Sequence, residues 1–148
     1  MIVLDANLLC YAYDSSSEKH EKARKWVELV FSEGSVVGLP WQTVAAFIRI
    51  TTNPRIPGQR FSLEEVVQVV DQWLEQPNVR LLAPGDQHWP LLRRLLIEGQ
   101  AWGPLATDAQ LAALTIENGG VLQTTDRDFA RFSELRWTNP IEAGTKRV

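Results

Sequence analysis

Three aspartates at widely separated positions carry side chains that could together hold a divalent cation. Asp5 follows a short apolar run at the start of the chain, Asp126 follows a later one, and Asp108 stands at the expected start of a helix. In an open α/β sheet the functional crevice lies outside the carboxyl ends of the strands, so these positions can meet at one edge. Each aspartate alone is explained as well by a helix cap or a turn.

Three carboxylates that converge repel one another, which raises their pKa values unless a cation joins them. Mg²⁺ or Mn²⁺ suits such a site, because hard cations prefer oxygen ligands and Mg²⁺ keeps several of its waters. A bound ion would lower the pKa of a water, orient it on a phosphorus and neutralise charge developing on the phosphate. We therefore predict that Asp5, Asp108 and Asp126 are metal ligands and catalytic residues, with Asn7 and Asp128 close behind.

The elements that must position these residues alternate between strands and helices. Strands are expected at residues 2–4, 35–39, 79–82 and 121–123, with a last edge strand at 136–137. Helices are expected at about 6–13, 40–52, 62–76, 87–98 and 108–118, and another ends near residue 31. The alternation predicts an α/β fold with a three-layer open, mostly parallel sheet and helices on both faces.

Local patterns give three further expectations. The Thr-x-x-Gln spacing of Thr107 and Gln110 predicts a capping box at the start of the last long helix. His20 and His88 flank predicted helices, where we expect them to be solvated. In the helix that begins with the Ser62–Glu65 capping box, six apolar side chains are expected to face inward: Leu63, Val66, Val67, Val70, Trp73 and Leu74.

Composition limits the kind of protein. The 148 residues are the size of one ordinary domain, so we expect a single domain over 1–148. No stretch approaches the roughly 20 apolar residues that span a bilayer, which predicts a cytoplasmic protein without a membrane partner. The net charge of −3 argues against a broad basic surface, so any RNA contact must be local. Such a patch could draw on arginines at 49, 55, 60, 93, 94, 127 and 131.

Five segments together resemble the PIN domain, and in particular its VapC toxin branch. They span residues 3–7, 39–41, 47–54, 107–114 and 124–129. The resemblance implies a metal-dependent endoribonuclease that hydrolyses RNA phosphodiester bonds and is the toxin of a VapBC-type toxin–antitoxin system. It also implies structured RNA substrates such as tRNA or rRNA, a cognate VapB-type antitoxin and a homodimer. The antitoxin is expected over apolar grooves around Tyr11, Tyr13 and Trp26.

The resemblance also assigns residues. Asp5, Asp108 and Asp126 occupy the family's acidic positions, and the accessory positions are matched by Asp128, Asn7 and Thr124.

One position departs from the family pattern, because Ala46 stands where the family usually places a glutamate on the third helix. Gln42 and Thr43 lie one turn earlier and could hold a water in the metal shell instead. Arg49 and Arg127 are candidates for phosphate contacts, although ion pairing with acidic residues explains them equally well.

Two other functions compete with cleavage. Ala46 raises the alternative of a catalytically weakened or inactive PIN-fold binding or regulatory protein. A phosphatase-like domain with Asp5 as covalent nucleophile is disfavoured, because Asn7 stands where an acid would be expected.

The six tryptophans raise the question of base stacking. Trp26 and Trp73 fall on apolar helix faces that favour core packing, whereas Trp41, Trp89 and Trp102 have no clear assignment.

Overall fold

The computed structural model describes residues 1–58 and 60–142 as an alternation of strands and helices. The strands are β1 (Ile2–Leu4), β2 (Val37–Pro40), β3 (Val79–Leu82), β4 (Val121–Gln123) and β5 (Trp137–Thr138). The helices are α1 (Ala6–Tyr13), α2 (His20–Ser32), α3 (Trp41–Thr52), α4 (Leu63–Glu75), α5 (His88–Glu98) and α6 (Leu105–Glu117), with a short 3₁₀ helix at Arg127–Arg131. The expected single domain also includes residues 59 and 143–148, which lie outside the described residues.

The five strands form one sheet in the order β3-β2-β1-β4-β5, and the pairs of neighbouring strands are parallel. Leu4 of β1 is in register with Gln123 of β4, and the Asp5 N–H donates to the Gln123 carbonyl at 3.1 Å. Because parallel strands end at the same edge, the residues that follow β1, β2 and β4 are brought together there.

Helices cover both faces of the sheet, which confirms the three-layer prediction. Successive residues of a strand point to opposite faces, and in β1 Val3 and Leu4 do so. Val3 packs in a core with buried residues of α5 and α6, including Leu95 and Leu111. Leu4 packs in a second core with buried residues of α1, α2, α3 and α4, including Phe47. No helix in the described residues is long and apolar enough to cross a membrane.

Helix α6 begins earlier than predicted, and the expected capping box is wrong. The helix starts at Leu105 after Pro104, whose φ of −59° already suits a helix. Thr107 therefore lies inside the first turn, and its hydroxyl donates to the Pro104 carbonyl at 2.9 Å. Asp108 consequently stands within the first turn of the helix, near the positive end of its dipole.

Helix α4 buries a narrower stripe than its apolar pattern predicts. The capping box is confirmed, with Ser62 Oγ accepting from the Glu65 N–H at 3.1 Å. Val66 and Trp73 are buried. Leu63, Val67 and Leu74 are 59%, 51% and 37% exposed, so their inward prediction is wrong. The helix packs against α3 and β3, and these elements reach only part of its apolar face.

The expectation that His88 is solvated is also wrong. His88 is buried at the start of α5, and its Nδ1 lies 2.9 Å from Glu117 Oε1 at the end of α6. The other oxygen of Glu117 accepts from the Gly85 N–H at 3.2 Å. This pair joins segments that are distant in sequence, which a local pattern does not reveal.

Candidate metal centre

Asp5 is held at the carboxyl end of β1 by hydrogen bonds to both of its side-chain oxygens. Oδ1 accepts from the Ala6 N–H at 2.7 Å, and the residue is the N-cap of α1. Oδ2 accepts from the Thr124 hydroxyl at 2.7 Å. Asp5 is therefore both a cap and a fixed carboxylate facing the end of β4.

Thr124 organises the polar groups beside Asp5. A hydroxyl has one hydrogen and two lone pairs. The hydrogen goes to Asp5, and the oxygen accepts from the Asp126 N–H at 3.0 Å and from Asn7 Nδ2 at 3.3 Å. The amide nitrogen of Asn7 must then face Thr124, because the threonine hydrogen is already donated.

This orientation leaves the side-chain oxygen of Asn7 (Oδ1) buried, and no donor among the described residues reaches it. Asn7 lines the same cleft as Asp5 and Asp108. A buried oxygen without a partner is uncommon and destabilising. A neutral amide oxygen is also an accepted ligand for a hard divalent cation or one of its waters.

Three carboxylates gather beside this network. Asp126 follows β4 as the N-cap of the 3₁₀ helix, and its Oδ1 accepts from the Asp128 N–H at 2.9 Å. Carboxylate oxygens of Asp108, Asp126 and Asp128 all lie within 4.8 Å of one another. Asp5 lies outside that tight group but lines one cleft with Asp108 and Asp126. The four aspartates thus come from the ends of β1 and β4 and the first turn of α6.

The mutual repulsion is visible in the acid strengths. Burial, followed by the charges of Asp126, Asp5 and Asp128, raises the pKa of Asp108 from 3.8 to about 6. Burial also raises the pKa of Asp5, and the charge of Asp126 adds to the rise while the bonds from Thr124 and Ala6 oppose it. Carboxylates that resist ionisation in this way are stabilised as anions by a cation between them.

The cleft has a volume of about 460 Å³ and lies between α3 and α6. Gln42 lines it, and its Nε2 donates to the Thr107 carbonyl at 3.1 Å, which joins the two helices. Thr43 also lines it, but its buried hydroxyl donates to the Leu4 carbonyl at 2.8 Å. Both side chains therefore serve to position elements of the site. Ala46 lines the wall where the family usually has a glutamate and contributes no oxygen ligand.

The three arginines near the site differ in their partners. Arg49 is exposed and lines the cleft. Arg127 forms an ion pair with Glu142 at 2.6 Å. Arg131 donates to the Asp128 carbonyl at 3.2 Å and to the Gly99 carbonyl at 3.0 Å, and its charge opposes the rise in the Asp108 pKa. Sequence analysis placed Arg131 only in a general basic patch, because both of its observed partners are backbone carbonyls.

The fold and the site together define an α/β protein whose parallel sheet gathers four aspartates at one edge. The chain belongs to the PIN domain family, whose model matches residues 2–135. This membership confirms the resemblance inferred from the five sequence segments.

Similar proteins include Ribonuclease VapC43 of Mycobacterium tuberculosis, which is 36% identical over 145 residues, covering 98% of this chain and 99% of the relative. The fold is similar to that of VapC20 of M. tuberculosis, described as a toxin that cleaves the sarcin-ricin loop. That match has a TM-score of 0.66 at 16% identity and covers 92% and 99% of the two chains. A chain of VapBC-1 from nontypeable Haemophilus influenzae gives a TM-score of 0.66 at 20% identity, covering 96% and 100%.

Proposed function

We propose that this chain is a metal-dependent endoribonuclease and the toxin of a VapBC-type toxin–antitoxin system. The observation that carries the proposal is the group of carboxylate oxygens from Asp108, Asp126 and Asp128, which lie within 4.8 Å of one another beside the cleft that Asp5, Asp108 and Asp126 line. The chain is 36% identical to a VapC ribonuclease over nearly the whole length of both proteins, which supports RNA as the substrate.

Asp5, Asp108 and Asp126 would hold Mg²⁺ or Mn²⁺, with Asp128 and the Asn7 oxygen as accessory ligands. All of these offer oxygen, the donor that both ions prefer. When bound, such a cation activates water and neutralises charge on the phosphate undergoing hydrolysis.

The other residues of the site position these ligands and the substrate. Thr124 fixes Asp5 through its hydroxyl and Asp126 through its backbone, so the ends of β1 and β4 keep a constant separation. Arg131 holds the Asp128 backbone, and we assign the exposed Arg49 on the cleft wall to a phosphate oxygen of the RNA. Arg127 stays a candidate for a phosphate contact, because its ion pair with Glu142 is largely exposed and holds the side chain weakly.

The proposed partners follow the same family. The structure from H. influenzae is that of a VapBC protein, which supports a cognate VapB-type antitoxin for this chain. The homodimer is proposed from the resemblance to the VapC branch alone. Tyr13 and Trp26, which are expected to contact the antitoxin, line two separate grooves. Tyr13 lies with Phe61 in a groove of about 400 Å³, and Trp26 lies with Ile141 in the other.

The alternative of an inactive binding protein rests on Ala46, and neither the structure nor the relatives favour it. The ligand group already contains three carboxylates without a glutamate at this position. The chain therefore retains oxygen ligands for a metal without this glutamate.

The proposal is tested by incubating the purified chain with total bacterial RNA and Mg²⁺ or Mn²⁺, with and without a chelator. We expect metal-dependent cleavage that Asp126→Asn reduces, while Asp71→Asn, at an exposed aspartate on α4, leaves it unchanged. Equal inactivity of the natural chain and Asp126→Asn with both metals would refute the proposal.

A further inference from the structure

Three tryptophans expose more than half of their side chains. The exposed fractions are 53% for Trp41, 62% for Trp89 and 77% for Trp102. Trp73, by contrast, is buried and stacks on Phe31 in the core between α1, α2, α3 and α4. A tryptophan stabilises a fold mainly through the area that it buries, so the three exposed rings contribute little to stability.

Two of these rings stand on segments that lead into residues lining the cleft, one at the start of α3 and one in the loop before α6. Trp41 is the first residue of α3, one turn before Ala45, which lines the cleft. Its neighbour Gln42 bonds the Thr107 carbonyl of α6. Trp41 therefore stands where α3 and α6 meet at the rim of the site.

Trp102 lies in the loop that leads into α6, the helix that carries Asp108 in its first turn. It comes three residues before Leu105, so its backbone is at most about 15 Å from Asp108. The loop is held in place, because Ala101 is buried and Arg131 bonds the Gly99 carbonyl. The same Arg131 bonds the Asp128 backbone, so this loop and the carboxylate group share a support.

The charge around the site makes binding through phosphates alone weak. The chain has a net charge of −3, and Arg49 is the one basic side chain among the described residues that line the cleft. A bound divalent cation would offset the charge of the aspartates, but only at the phosphate that it contacts. Few lysine or arginine contacts mean little counterion release, which normally supplies most of the affinity for nucleic acid. Stacking of a base on an aromatic ring does not depend on positive charge and tolerates any sequence.

We propose that Trp41 and Trp102 are base-stacking residues that hold unpaired nucleotides of the RNA on the two sides of the carboxylate site. This inference rests on the proposed ribonuclease function and names the residues that would hold the RNA beside the carboxylates. Bases inside a duplex already stack on their neighbours, so they cannot lie on these rings without unpairing.

Trp89 provides a matched control in the same chain. It is as exposed as the other two rings, but it follows His88, which contacts Glu117 at the far end of α6. Glu117 is about 14 Å along the helix from Asp108. Removing Trp89 removes an exposed ring without changing the rim of the cleft.

The experiment measures binding by fluorescence anisotropy of a labelled unpaired RNA of about ten nucleotides, within the span of known single-strand sites. Asp108→Asn is the background, so that the RNA is not cleaved. We expect Trp41→Ala and Trp102→Ala each to weaken binding about fivefold or more, and Trp89→Ala to leave it unchanged. Phenylalanine at 41 or 102 should restore part of the affinity, and leucine should not. The same RNA annealed to its complement should bind weakly and equally to all variants.

Equal binding by the leucine and phenylalanine variants, or an equal loss with Trp89→Ala, would overturn the stacking proposal. So would a change confined to the oligomeric state or to antitoxin binding, since the rings would then belong to a protein interface. Cleavage is followed separately in chains that keep Asp108. If the natural chain and both alanine variants cleave RNA at the same rate, the ribonuclease proposal stands and the stacking proposal is refuted. A chain that cleaves no RNA refutes the ribonuclease, and the binding assay still decides the role of the tryptophans.

Discussion

Helix α6 carries a carboxylate near each end, and the two differ in the groups that surround them. Glu117, in the last turn, has His88 at 2.9 Å on one oxygen and the Gly85 N–H at 3.2 Å on the other. Asp108, in the first turn, faces Asp126, Asp128 and Asp5, which raise its pKa together with burial to about 6. One end has the partners that a buried acid requires, and the other has more negative charge.

The difference separates structural from functional acids without reference to any relative. A buried carboxylate with complementary partners joins segments of the fold, as Glu117 joins the start of α5 to the end of α6. A group of acids that repel one another costs stability, and that cost is recovered when a cation binds. The Asn7 oxygen, without a donor among the described residues, lies in the same cleft as this group and adds to the contrast.

The largest effect is expected from a substitution in the group of mutually repelling aspartates at the first turn of α6, which we call the repelling end. Asp108→Asn should reduce metal-dependent RNA cleavage about a hundredfold or more, because losing a ligand removes several kcal/mol of charge stabilisation in the transition state. Stability without metal should stay the same or rise, since a negative charge is removed from the cluster. Initial cleavage rates and thermal unfolding of the same preparation check both parts. A cleavage rate within threefold or so of the natural rate would show that Asp108 is not a ligand that matters.

A substitution of Glu117, at the paired end of α6, should have the opposite result: a loss of stability with little change in cleavage. Glu117→Ala leaves His88 and the Gly85 N–H without their partner, and we expect the free energy of unfolding to fall by about 2–3 kcal/mol. Cleavage per folded molecule should remain near that of the natural chain. Urea unfolding measures the loss, with Glu98→Ala at an exposed site of α5 as control. Equal stability of the two variants would contradict the claim that Glu117 stabilises the fold.

Adding an acid to the repelling end should have a smaller effect. Ala46→Glu places a fourth carboxylate chain on the cleft wall, and we expect metal affinity to rise by no more than about tenfold, roughly 1.4 kcal/mol. Cleavage should change by a similar factor, because the natural chain already has its ligands. Calorimetric titration with Mn²⁺ and cleavage rates test this. If cleavage arose only after this substitution, the inactive binding protein would be the correct interpretation of the natural chain.

The smallest effect concerns pH in the absence of metal. The pKa of Asp108 is about 6 in the folded chain and near 3.8 when exposed, so the folded state binds the proton more tightly. Stability that depends on this proton is present at low pH and is lost as pH rises from about 4 to 6. Asp108→Asn should flatten that part of the profile. Thermal unfolding in a chelating buffer across this range gives the answer, and identical profiles for both chains would contradict the assigned cause.

The sequence predicts the edge of the sheet better than it predicts the packing around it. Short apolar runs place both acids, because parallel strands end together: Asp5 follows the first run directly, and Asp126 follows the later run after three polar residues. The start of α6 was missed because Pro104 accepts a helical backbone, which makes Thr107 an internal residue rather than a cap. The pattern of α4 does not tell how much of the helix its neighbours cover, and Leu63 and Val67 are exposed for that reason.

Long-range polar pairs account for the rest of what sequence analysis missed. His88 and Glu117 are far apart in the chain, and nothing local distinguishes them from solvated side chains. Arg131 was visible only as one of many arginines, although it supports both the Asp128 backbone and the loop that carries Trp102. The directions of the hydrogen bonds at Thr124, which leave the side-chain oxygen of Asn7 without a donor, are also visible only in the structure.

The most direct test is anomalous diffraction from crystals of the natural chain soaked with Mn²⁺. We predict a Mn²⁺ peak among Asp108, Asp126 and Asp5, within ligand distance of their oxygens, and no peak beside His88 and Glu117. A well-ordered carboxylate group with no peak, or a peak only at the Glu117 end of α6, would contradict the claim that this cluster is built to hold a cation.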